Sequence, residues 1–329
     1  MNNRKTDISI VIPCCNEAGN ILALYSQLTA LLSTIIPNYE CIFVDDGSTD
    51  NTLAEIKSLC ESHPPIKYIS FSRNFGHQKA LRAGLDASSG DAVITMDADL
   101  QHPVRLIPSL IDHWRAGVDI VNTMRTDAGT TGIFKRMTSA LFYHVMNFLT
   151  GQDIKKGSAD FRLMDRKVVD ILCRNKEDDL FLRGMIGWCG FRQTVIDYTA
   201  DERHSGKTKY SLCKMMKLAV DGITSFTIKP LRLAIVLSAV FALLGCIETG
   251  YVVYVACFTE KAVSGWSSLA ILISIQGAAV LLMLGIIGEY VGRTFMQGKR
   301  RPVYIVSETN CDDSPYLFSS NNIFIEKNK

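Results

Sequence analysis

The sequence predicts an α/β domain with a mostly parallel sheet, followed by a juxtamembrane amphipathic helix and a two-helix transmembrane hairpin. Over about the first 205 residues, short apolar runs rich in β-branched residues alternate with helical patterns, which is typical of a parallel sheet. Two long apolar stretches follow, at residues 233–257 and 267–288. Each is long enough to cross a hydrocarbon core of about 30 Å as a helix.

The predicted strands are short segments that end in or near polar residues. Their sequences are IVIP (10–13), CIFVDD (41–46), KYISFS (67–72), AVITMDAD (92–99) and VDIVNTM (118–124). Helical patterns such as those at 21–32 and 52–60 separate most of them. Ligands of parallel α/β sheets bind beyond the carboxyl ends of the strands, so the polar residues that follow these strands form the candidate site.

Positive charges flank the predicted hairpin and orient it. Lys229 and Arg232 precede the first span, and the connecting loop carries one lysine, Lys261. The basic residues after the second span are Arg293, Lys299, Arg300 and Arg301. The positive-inside rule therefore predicts a multi-pass protein of the inner (cytoplasmic) membrane, with the α/β domain and both termini in the cytoplasm. A buried helix pair in a soluble core is the alternative.

These patterns divide the chain into four parts. They are a cytoplasmic α/β domain (1–209), a juxtamembrane amphipathic helix (210–230), two transmembrane helices with a short outer loop (231–290) and a cytoplasmic C-terminal tail (291–329). Apolar residues of the second part recur at helical spacing: Leu212, Met216, Ala219, Ile223 and Phe226. The spacing fits either ordinary packing on the sheet or a helix in the membrane interface, and the interface is favoured because the segment leads directly into the first span. The tail is polar after Val306, and we expect it to be poorly ordered.

The composition excludes some partners and indicates a compartment. The formal net charge of +2 does not suggest a nucleic-acid partner. The ten cysteines show no CxxC pair and no framework spacing, which indicates a reduced, cytoplasmic catalytic part. Several histidines show no metal-ligand spacing, and we expect solvated or capping roles for them: His77, His102, His113, His144 and His204.

Acidic residues close two of the predicted strands. Asp97 and Asp99 follow VITM, and alternate residues of a strand share a face, so both carboxylates can point to one ligand. Two hard oxygen ligands there suit Mg²⁺ or Mn²⁺ bridging a diphosphate. Asp45 and Asp46 close another strand within DDGSTD, where capping of the next helix is an alternative that can hold at the same time.

Motifs in the first half of the chain resemble, in order, those of inverting, family 2 type GT-A glycosyltransferases. They are IPCCNE, VDDGSTD, SRNFGHQKALRAG and MDADLQHP. Further along, GSADFRLMDRK, ERHSGKTKY, the two apolar stretches and GEYVGR resemble the polyprenyl-phosphate branch, which includes bactoprenol glucosyltransferases and dolichol-phosphate mannose synthases. The resemblance covers the chain up to about residue 306 and implies a Rossmann-like GT-A fold with a bound Mg²⁺ or Mn²⁺.

The resemblance also implies roles for individual residues. The nucleotide-sugar contacts are Pro13, Glu17, Asp45, Asp46 and Arg73. The metal and diphosphate site is Asp97, Asp99 and Gln101. The acceptor-phosphate contacts are Arg125, Lys135, Ser139, Arg203, Lys207 and Lys209. Asp160 matches the position proposed as general base, and with Asp99 and Arg203 it forms the expected catalytic group.

The expected chemistry depends on charge. Arg203, Lys207 and Lys209 could offset the repulsion between a donor diphosphate and an acceptor phosphate, or they could attract lipid headgroups. A phosphate monoester has a second pKa near 6, so the acceptor is already mostly nucleophilic at about pH 7. We therefore expect Asp160 to orient the acceptor or accept a residual proton without dominating the rate.

The resemblance implies transfer of glucose from UDP-glucose to undecaprenyl (polyprenyl) phosphate, for O-antigen or cell-envelope glycan modification. Galactose, N-acetylhexosamine, aminoarabinose and GDP-mannose donors stay open. A processive polysaccharide synthase is a less favoured alternative, because it would carry a QxxRW motif and more spans than the two apparent here. A non-catalytic nucleotide-sugar-binding membrane protein is another, and the intact acidic strand ends argue against it. Expected partners are membrane lipids, further copies in a homo-oligomer such as a tetramer, a separate flippase and a downstream transferase.

Overall fold

The computed structural model describes residues 6–125, 158–175, 182–199, 227, 229–258, 266–299, 301–311 and 323–324. The chain divides into two units. The first unit comprises Met1–Leu218 and Arg301–Lys329, and the second comprises Ala219–Arg300. The first holds an α/β sheet, and the second holds two long helices.

The first unit alternates strands and helices. Its strands are β1 (Ile8–Cys14), β2 (Tyr39–Asp45), β3 (Ile66–Phe71), β4 (Ala92–Thr95), β5 (Ile120–Arg125), β6 (Ser158–Asp165), β7 (Gln193–Tyr198), β8 (Ile305–Thr309) and β9 (Ile323–Phe324). Its described helices are α1 (Asn20–Ile35), α2 (Thr52–Ser62), α3 (His77–Ala87), α4 (Ile107–Arg115), α5 (Arg166–Arg174) and α6 (Leu182–Trp188), with a 3₁₀ turn at Val104–Leu106. The described strands form one sheet of order β7-β5-β6-β4-β1-β2-β3-β8-β9.

Parallel pairing builds the centre of this sheet. β1 pairs with β2 and β4, and β2 pairs with β3, all in parallel. β6 runs antiparallel between β4 and β5, and β8 runs antiparallel to β3. Every residue of β1 (ISIVIPC) is buried, as expected for a strand whose sheet is covered on both faces. The prediction of an α/β fold with a mostly parallel sheet is confirmed.

The register brings the strand ends to one edge of the sheet. Cys14 lies opposite Asp45, and Asp45 lies opposite Ser70. At the end of β4, Thr95 lies opposite Val11 on one side and opposite Arg162, in the middle of β6, on the other. Because β6 is antiparallel, its first residues lie at the edge where β1, β2 and β4 end.

Helices α1 and α3 pack on the sheet through small or apolar residues. Apolar residues buried by α1 recur at a spacing of three or four: Ile21, Leu24, Leu28 and Leu32. This spacing places them on one helix face. α3 approaches β1 closely at Gly84, where a Cβ atom would lie 2.1 Å from Cγ1 of Val11. A larger residue at Gly84 would push α3, and the loop that precedes it, away from the sheet.

After the second unit, the chain returns to the sheet as β8. Ser70 of β3 lies opposite Glu308, and Nζ of Lys57 lies 2.7 Å from a carboxylate oxygen of Glu308. The expectation of a poorly ordered tail after Val306 is therefore wrong for residues 307–309. They are ordered because backbone groups along β3 would otherwise form an unpaired sheet edge.

Tyr304 anchors this returning segment. It is fully buried, its ring stacks on Phe71 with centroids 5.1 Å apart, and its hydroxyl donates to Oδ2 of Asp86 at 2.9 Å. Nε of Arg82 donates to the other oxygen of Asp86, also at 2.9 Å. Burial raises the pKa of Asp86, and these donors act against that effect. The contact joins the C-terminal segment to the last turn of α3.

The second unit contains α7 (Lys229–Phe258) and α8 (Trp266–Gly298). Among the described residues, one stretch, Ile275–Gly298, is long and apolar enough to cross a membrane, and Ala239–Val255 is a shorter apolar segment. Two spans and their orientation therefore stay predictions. α8 continues past residue 291, where we placed the start of the tail, and Arg293 pairs with Glu289 one helical turn earlier at 2.9 Å. Residues 210–226 lie outside the described residues.

Replacing Tyr304 with Phe removes one donor from a buried carboxyl group and keeps the ring. We expect the free energy of unfolding to fall by about 1–3 kcal/mol, because a buried carboxyl group loses one of its donors. The thermal midpoint should fall by about 2–4 °C per kcal/mol. Scanning fluorimetry of the detergent-solubilised chain measures the shift. Tyr68→Phe, at a half-buried position on β3, is the matched control, and equal shifts in the two variants would contradict the prediction.

Candidate active site

The loops after β1 and β2 interlock at the edge where the strands end. The N–H of Asn16 donates to Oγ of Ser48 at 3.0 Å, and the N–H of Glu17 donates to Oγ1 of Thr52 at 2.9 Å. Asn16 has φ of 57°, a left-handed conformation that Asn adopts more readily than most residues. Pro13 is buried in β1 just before this loop. Glu17 therefore lies at the sheet edge in a loop fixed by α2.

Asp45, the last residue of β2, is buried and held by two donors. Oγ of Ser70 donates to its Oδ2 at 3.0 Å, and the N–H of Ser48 donates to its Oδ1 at 3.1 Å. A different acid of the same motif contacts the start of α2: Asp50 accepts the N–H of Thr52, the first residue of that helix, at 3.0 Å. The motif DDGSTD thus supplies the start of a helix and a fixed carboxylate at the same time.

Asp46 holds the loop that follows β3. Its carboxylate accepts the N–H groups of Phe75 at 2.6 Å and Gly76 at 2.9 Å. Burial raises the pKa of Asp46, and these two hydrogen bonds oppose the rise. Gly47 has φ of 66°, and a Cβ atom there would lie 2.5 Å from the carbonyl carbon of Arg73, so the two loops require glycine at this contact. The guanidinium of Arg73 lies 4.2 Å from the ring centroid of Phe75.

Asp97 and Asp99 lie in a tight turn after β4. The N–H of Asp97 donates to Nδ1 of His102 at 3.0 Å, and Oδ1 of Asp99 accepts the N–H of Gln101 at 3.1 Å. Oε1 of Gln101 accepts from Nη1 of Arg125 at 2.8 Å. The turn therefore places Arg125, a predicted acceptor-phosphate contact, next to Gln101 of the predicted metal and diphosphate site.

Asp160 lies near the start of β6 and is 6% exposed. Nη2 of Arg162 donates to its Oδ1 at 3.2 Å, and Nε2 of Gln78 donates to its Oδ2 at 3.4 Å. Nε2 of His77 lies 3.3 Å from Oδ2 of Asp160 and 3.5 Å from Oδ1 of Asp97. One imidazole nitrogen thus lies between the acid that follows β4 and the acid on β6.

An aromatic cluster lies next to these acids. The ring of His102 stacks on Phe161 with centroids 5.1 Å apart, and Tyr198 meets the two rings edge-on at 6.1 and 6.2 Å. Burial raises the pKa of Tyr198 to about 12, with Asp97 and Asp99 contributing in the same direction. The Tyr198 hydroxyl therefore stays protonated over the physiological pH range. The cluster fixes His102, which in turn fixes the backbone of Asp97.

The acidic pair fits a divalent cation. Within the described part of the chain, Oδ1 of Asp97 is buried and accepts no hydrogen bond, although Nε2 of His77 lies 3.5 Å away, and a buried carboxylate oxygen without a hydrogen bond is costly. No group of three or more His, Cys, Asp and Glu side chains among the described residues is arranged to hold a metal ion. Mg²⁺ is commonly bound by one or two carboxylates together with substrate phosphates, and Asp97 and Asp99 suit that mode.

Most of the predicted site residues lie at this one edge of the sheet. Those that the structure describes are Pro13, Glu17, Asp45, Asp46, Arg73, Asp97, Asp99, Gln101, Arg125 and Asp160. Those that fall outside the described residues are Lys135, Ser139, Arg203, Lys207 and Lys209. The roles of both groups stay predictions.

The sequence reasoning missed two histidines of this edge. The expectation of a solvated or capping role is wrong for His102, which is buried and accepts the Asp97 N–H. His77 is exposed, as expected, but its Nε2 also lies within 3.5 Å of two carboxylates. His102 follows the acidic pair within the same turn, which is a signal available from spacing. His77 gives no such signal, because Asp97 and Asp160 lie on other elements, far from it in the chain.

Comparisons with known proteins support a family. Residues 9–172 match the model described as Glycosyl transferase family 2, and residues 229–294 match the GtrB C-terminal hairpin. The glycosyltransferase YkcC of Bacillus subtilis is 42% identical over 93% of this chain and 95% of its own length. The prophage bactoprenol glucosyl transferase homolog of Escherichia coli is 38% identical over 91% of this chain and 98% of its own. The bactoprenol glucosyl transferase of Shigella phage SfV is 38% identical over 91% and 97%.

Among solved structures, glucosyl-3-phosphoglycerate synthase of Mycobacterium tuberculosis matches with a TM-score of 0.44 and 21% identity, over 67% of this chain and 79% of its own. The family match agrees with the Rossmann-like sheet and with the C-terminal helices. The chain is therefore a GT-A glycosyltransferase that belongs to glycosyl transferase family 2 and carries a GtrB-type C-terminal hairpin.

Proposed function

We propose that this enzyme transfers a sugar, with glucose from UDP-glucose as the first candidate, to undecaprenyl phosphate at the cytoplasmic membrane face. One observation carries the proposal: Asp97, which follows β4, and Asp160, on β6, both lie within 3.5 Å of Nε2 of His77. Such a site can hold a nucleotide diphosphate and a second substrate side by side. Relatives named bactoprenol glucosyl transferase, which match 91% of the chain, support a lipid acceptor.

The donor would bind along the ends of β1, β2 and β4. In this proposal Pro13, Glu17 and Asp45 contact the nucleotide, with Asp46 and Arg73 completing the pocket. Asp97, Asp99 and Gln101 hold Mg²⁺ or Mn²⁺ against the diphosphate. When bound, the cation neutralises charge on the diphosphate and favours the departure of UDP.

The acceptor would approach from the side of β6. A phosphate oxygen of the lipid forms a bond to the anomeric carbon while the bond from that carbon to the UDP oxygen breaks, and attack from the opposite face inverts the centre. Asp160 orients the acceptor or takes up its residual proton. Arg125, 2.8 Å from Gln101, contacts the acceptor phosphate in this arrangement. The other proposed contacts are Lys135, Ser139, Arg203, Lys207 and Lys209.

The proposal includes a membrane arrangement. The hairpin crosses the inner membrane twice and leaves both termini in the cytoplasm, as the flanking Lys and Arg residues favour. The candidate span Ile275–Gly298 supports part of this arrangement. We further propose a homo-oligomer such as a tetramer, a separate flippase for the product, and a downstream transferase that uses it for O-antigen or cell-envelope glycans.

Membranes that contain the chain, incubated with radiolabelled UDP-glucose and undecaprenyl phosphate, test this function. Label in an organic-extractable, mild-acid-labile product is expected. Label in insoluble polymer would indicate a processive synthase, and no label with any donor would indicate a non-catalytic protein. A panel with UDP-galactose, UDP-N-acetylhexosamines, UDP-aminoarabinose derivatives and GDP-mannose identifies the sugar.

Asp99→Asn tests the cation site. We expect turnover to fall by about 10²- to 10³-fold, because charge on the departing diphosphate loses stabilisation. Mn²⁺ binding in the presence of UDP, followed by electron paramagnetic resonance, should weaken in parallel. Chelation by EDTA should stop the wild-type reaction, and added Mg²⁺ or Mn²⁺ should restore it. Asp112→Asn, at an exposed position on α4, is the control, and a drop equal to that of Asp99→Asn would refute the assignment.

Asp160→Asn tests how far the reaction needs a base. The acceptor phosphate has a second pKa near 6, so it retains a proton in a large fraction of molecules at about pH 6 and in few at about pH 8.5. We expect a loss of about tenfold to a hundredfold that shrinks as pH rises, below the largest general-base effects of about 10⁴-fold. Initial rates across this pH range provide the measurement. A loss of several orders of magnitude that is constant with pH would contradict the prediction.

A further inference from the structure

The position of His77 is fixed from the nucleotide side of the site. His77 is the first residue of α3, and the two residues before it, Phe75 and Gly76, donate their N–H groups to Asp46. Gly76 has φ of 104°, a conformation that favours glycine and turns the loop into the helix. The side chain of His77 is 43% exposed, so its ring is open to a ligand as well as to the two carboxylates.

The two carboxylates beside His77, those of Asp160 and Asp97, differ in how deeply they are buried. The side chain of Asp160 is 7% exposed, and that of Asp97 is 34% exposed. A buried carboxylate needs several polar partners. Asp160 accepts hydrogen bonds from Arg162 and Gln78, and Nε2 of His77 lies 3.3 Å from its Oδ2. Two of these partners, His77 and Gln78, come from the first turn of α3 and meet the same oxygen, Oδ2. The first turn of α3 therefore controls the direction of Asp160 more than that of Asp97.

We propose that His77 is a positioning residue for sugar transfer. Its Nε2 donates to Oδ2 of Asp160 and holds that carboxylate toward the acceptor phosphate, while Oδ1 of Asp97 stays available to the cation. Through Phe75 and Gly76 the same loop ties the direction of Asp160 to Asp46 in the nucleotide pocket. A displacement of about 1 Å in such a group can cost about 10²-fold in rate. This inference rests on the proposed function.

The experiment uses the purified full chain in proteoliposomes that contain undecaprenyl phosphate, with the donor that the panel identifies. We expect His77→Ala to lower kcat by about tenfold to a hundredfold and to change the KM for the donor by less than about twofold. His77→Gln places an amide nitrogen near the position of Nε2 and should recover most of the rate. His113→Ala is the matched control, because the ring of His113 contacts a carbonyl oxygen of its own helix, that of Ser109, at 2.7 Å.

Two further readouts separate positioning from a general loss of structure. In the double variant His77→Ala/Asp160→Asn, the loss of kcat should stay close to that of Asp160→Asn alone, because the two residues act as one unit. Mn²⁺ affinity in the presence of UDP should stay within about twofold of wild type in His77→Ala. Thermal midpoints check folding, and if His77→Ala is destabilised, the comparison of His77→Gln with wild type decides.

Several results would overturn the inference. They are a His77→Ala rate equal to that of His113→Ala, losses that multiply in the double variant, no recovery in His77→Gln, or weakened Mn²⁺ binding in His77→Ala. In each of these cases the wild-type chain still transfers sugar to undecaprenyl phosphate, and the proposed function stands. A wild-type chain that transfers no sugar with any donor would instead overturn the proposed function.

Discussion

The concentration of carboxylates at one sheet edge is the constraint on which the rest of the site depends. Like charges at short range repel, most strongly where water is excluded. The chain balances most of this charge locally. Backbone N–H groups serve Asp46, a hydroxyl and an N–H serve Asp45, and Arg162 with two α3 side chains serves Asp160. Oδ1 of Asp97 is buried and accepts no hydrogen bond among the described residues, so positive charge added beside it would stabilise the edge.

The fold makes this concentration possible through register and close approach. Parallel pairing ends β1, β2 and β4 at the same edge, and the antiparallel β6 brings its own beginning there. Gly47 and Gly84 let a loop and a helix approach nearer than any side chain would allow. The loops therefore have little freedom, and the acids are held in place before a ligand arrives. Such preorganisation lowers the cost of arranging charges during the reaction.

Much of this arrangement could be predicted from the sequence. The apolar runs identified the central strands, and the rule that ligands bind beyond strand ends identified Asp45, Asp97 and their neighbours. The direction and partner of β6 could not be predicted, because periodicity indicates a strand and not the strand with which it pairs. β8 was missed for a related reason. Its short sequence around Val306 becomes a strand because β3 offers an edge more than 200 residues away in the chain, as in the Ser70–Glu308 pair. His77 lies beside Asp97 and Asp160, which belong to two other elements, and no local sequence pattern predicts such contacts.

The return of the chain as β8 has a consequence for how the catalytic unit is retained. That unit is covalently connected to the hairpin on both sides, once before Ala219 and once after Arg300. In the proposed membrane arrangement it has two tethers. A protease that cut one connection would leave the unit attached through the other, with β8 and Tyr304 holding the severed segment in the sheet. Two cuts would be needed to release it into the cytoplasm, so a single nick should leave the enzyme at the membrane where its lipid substrate is found.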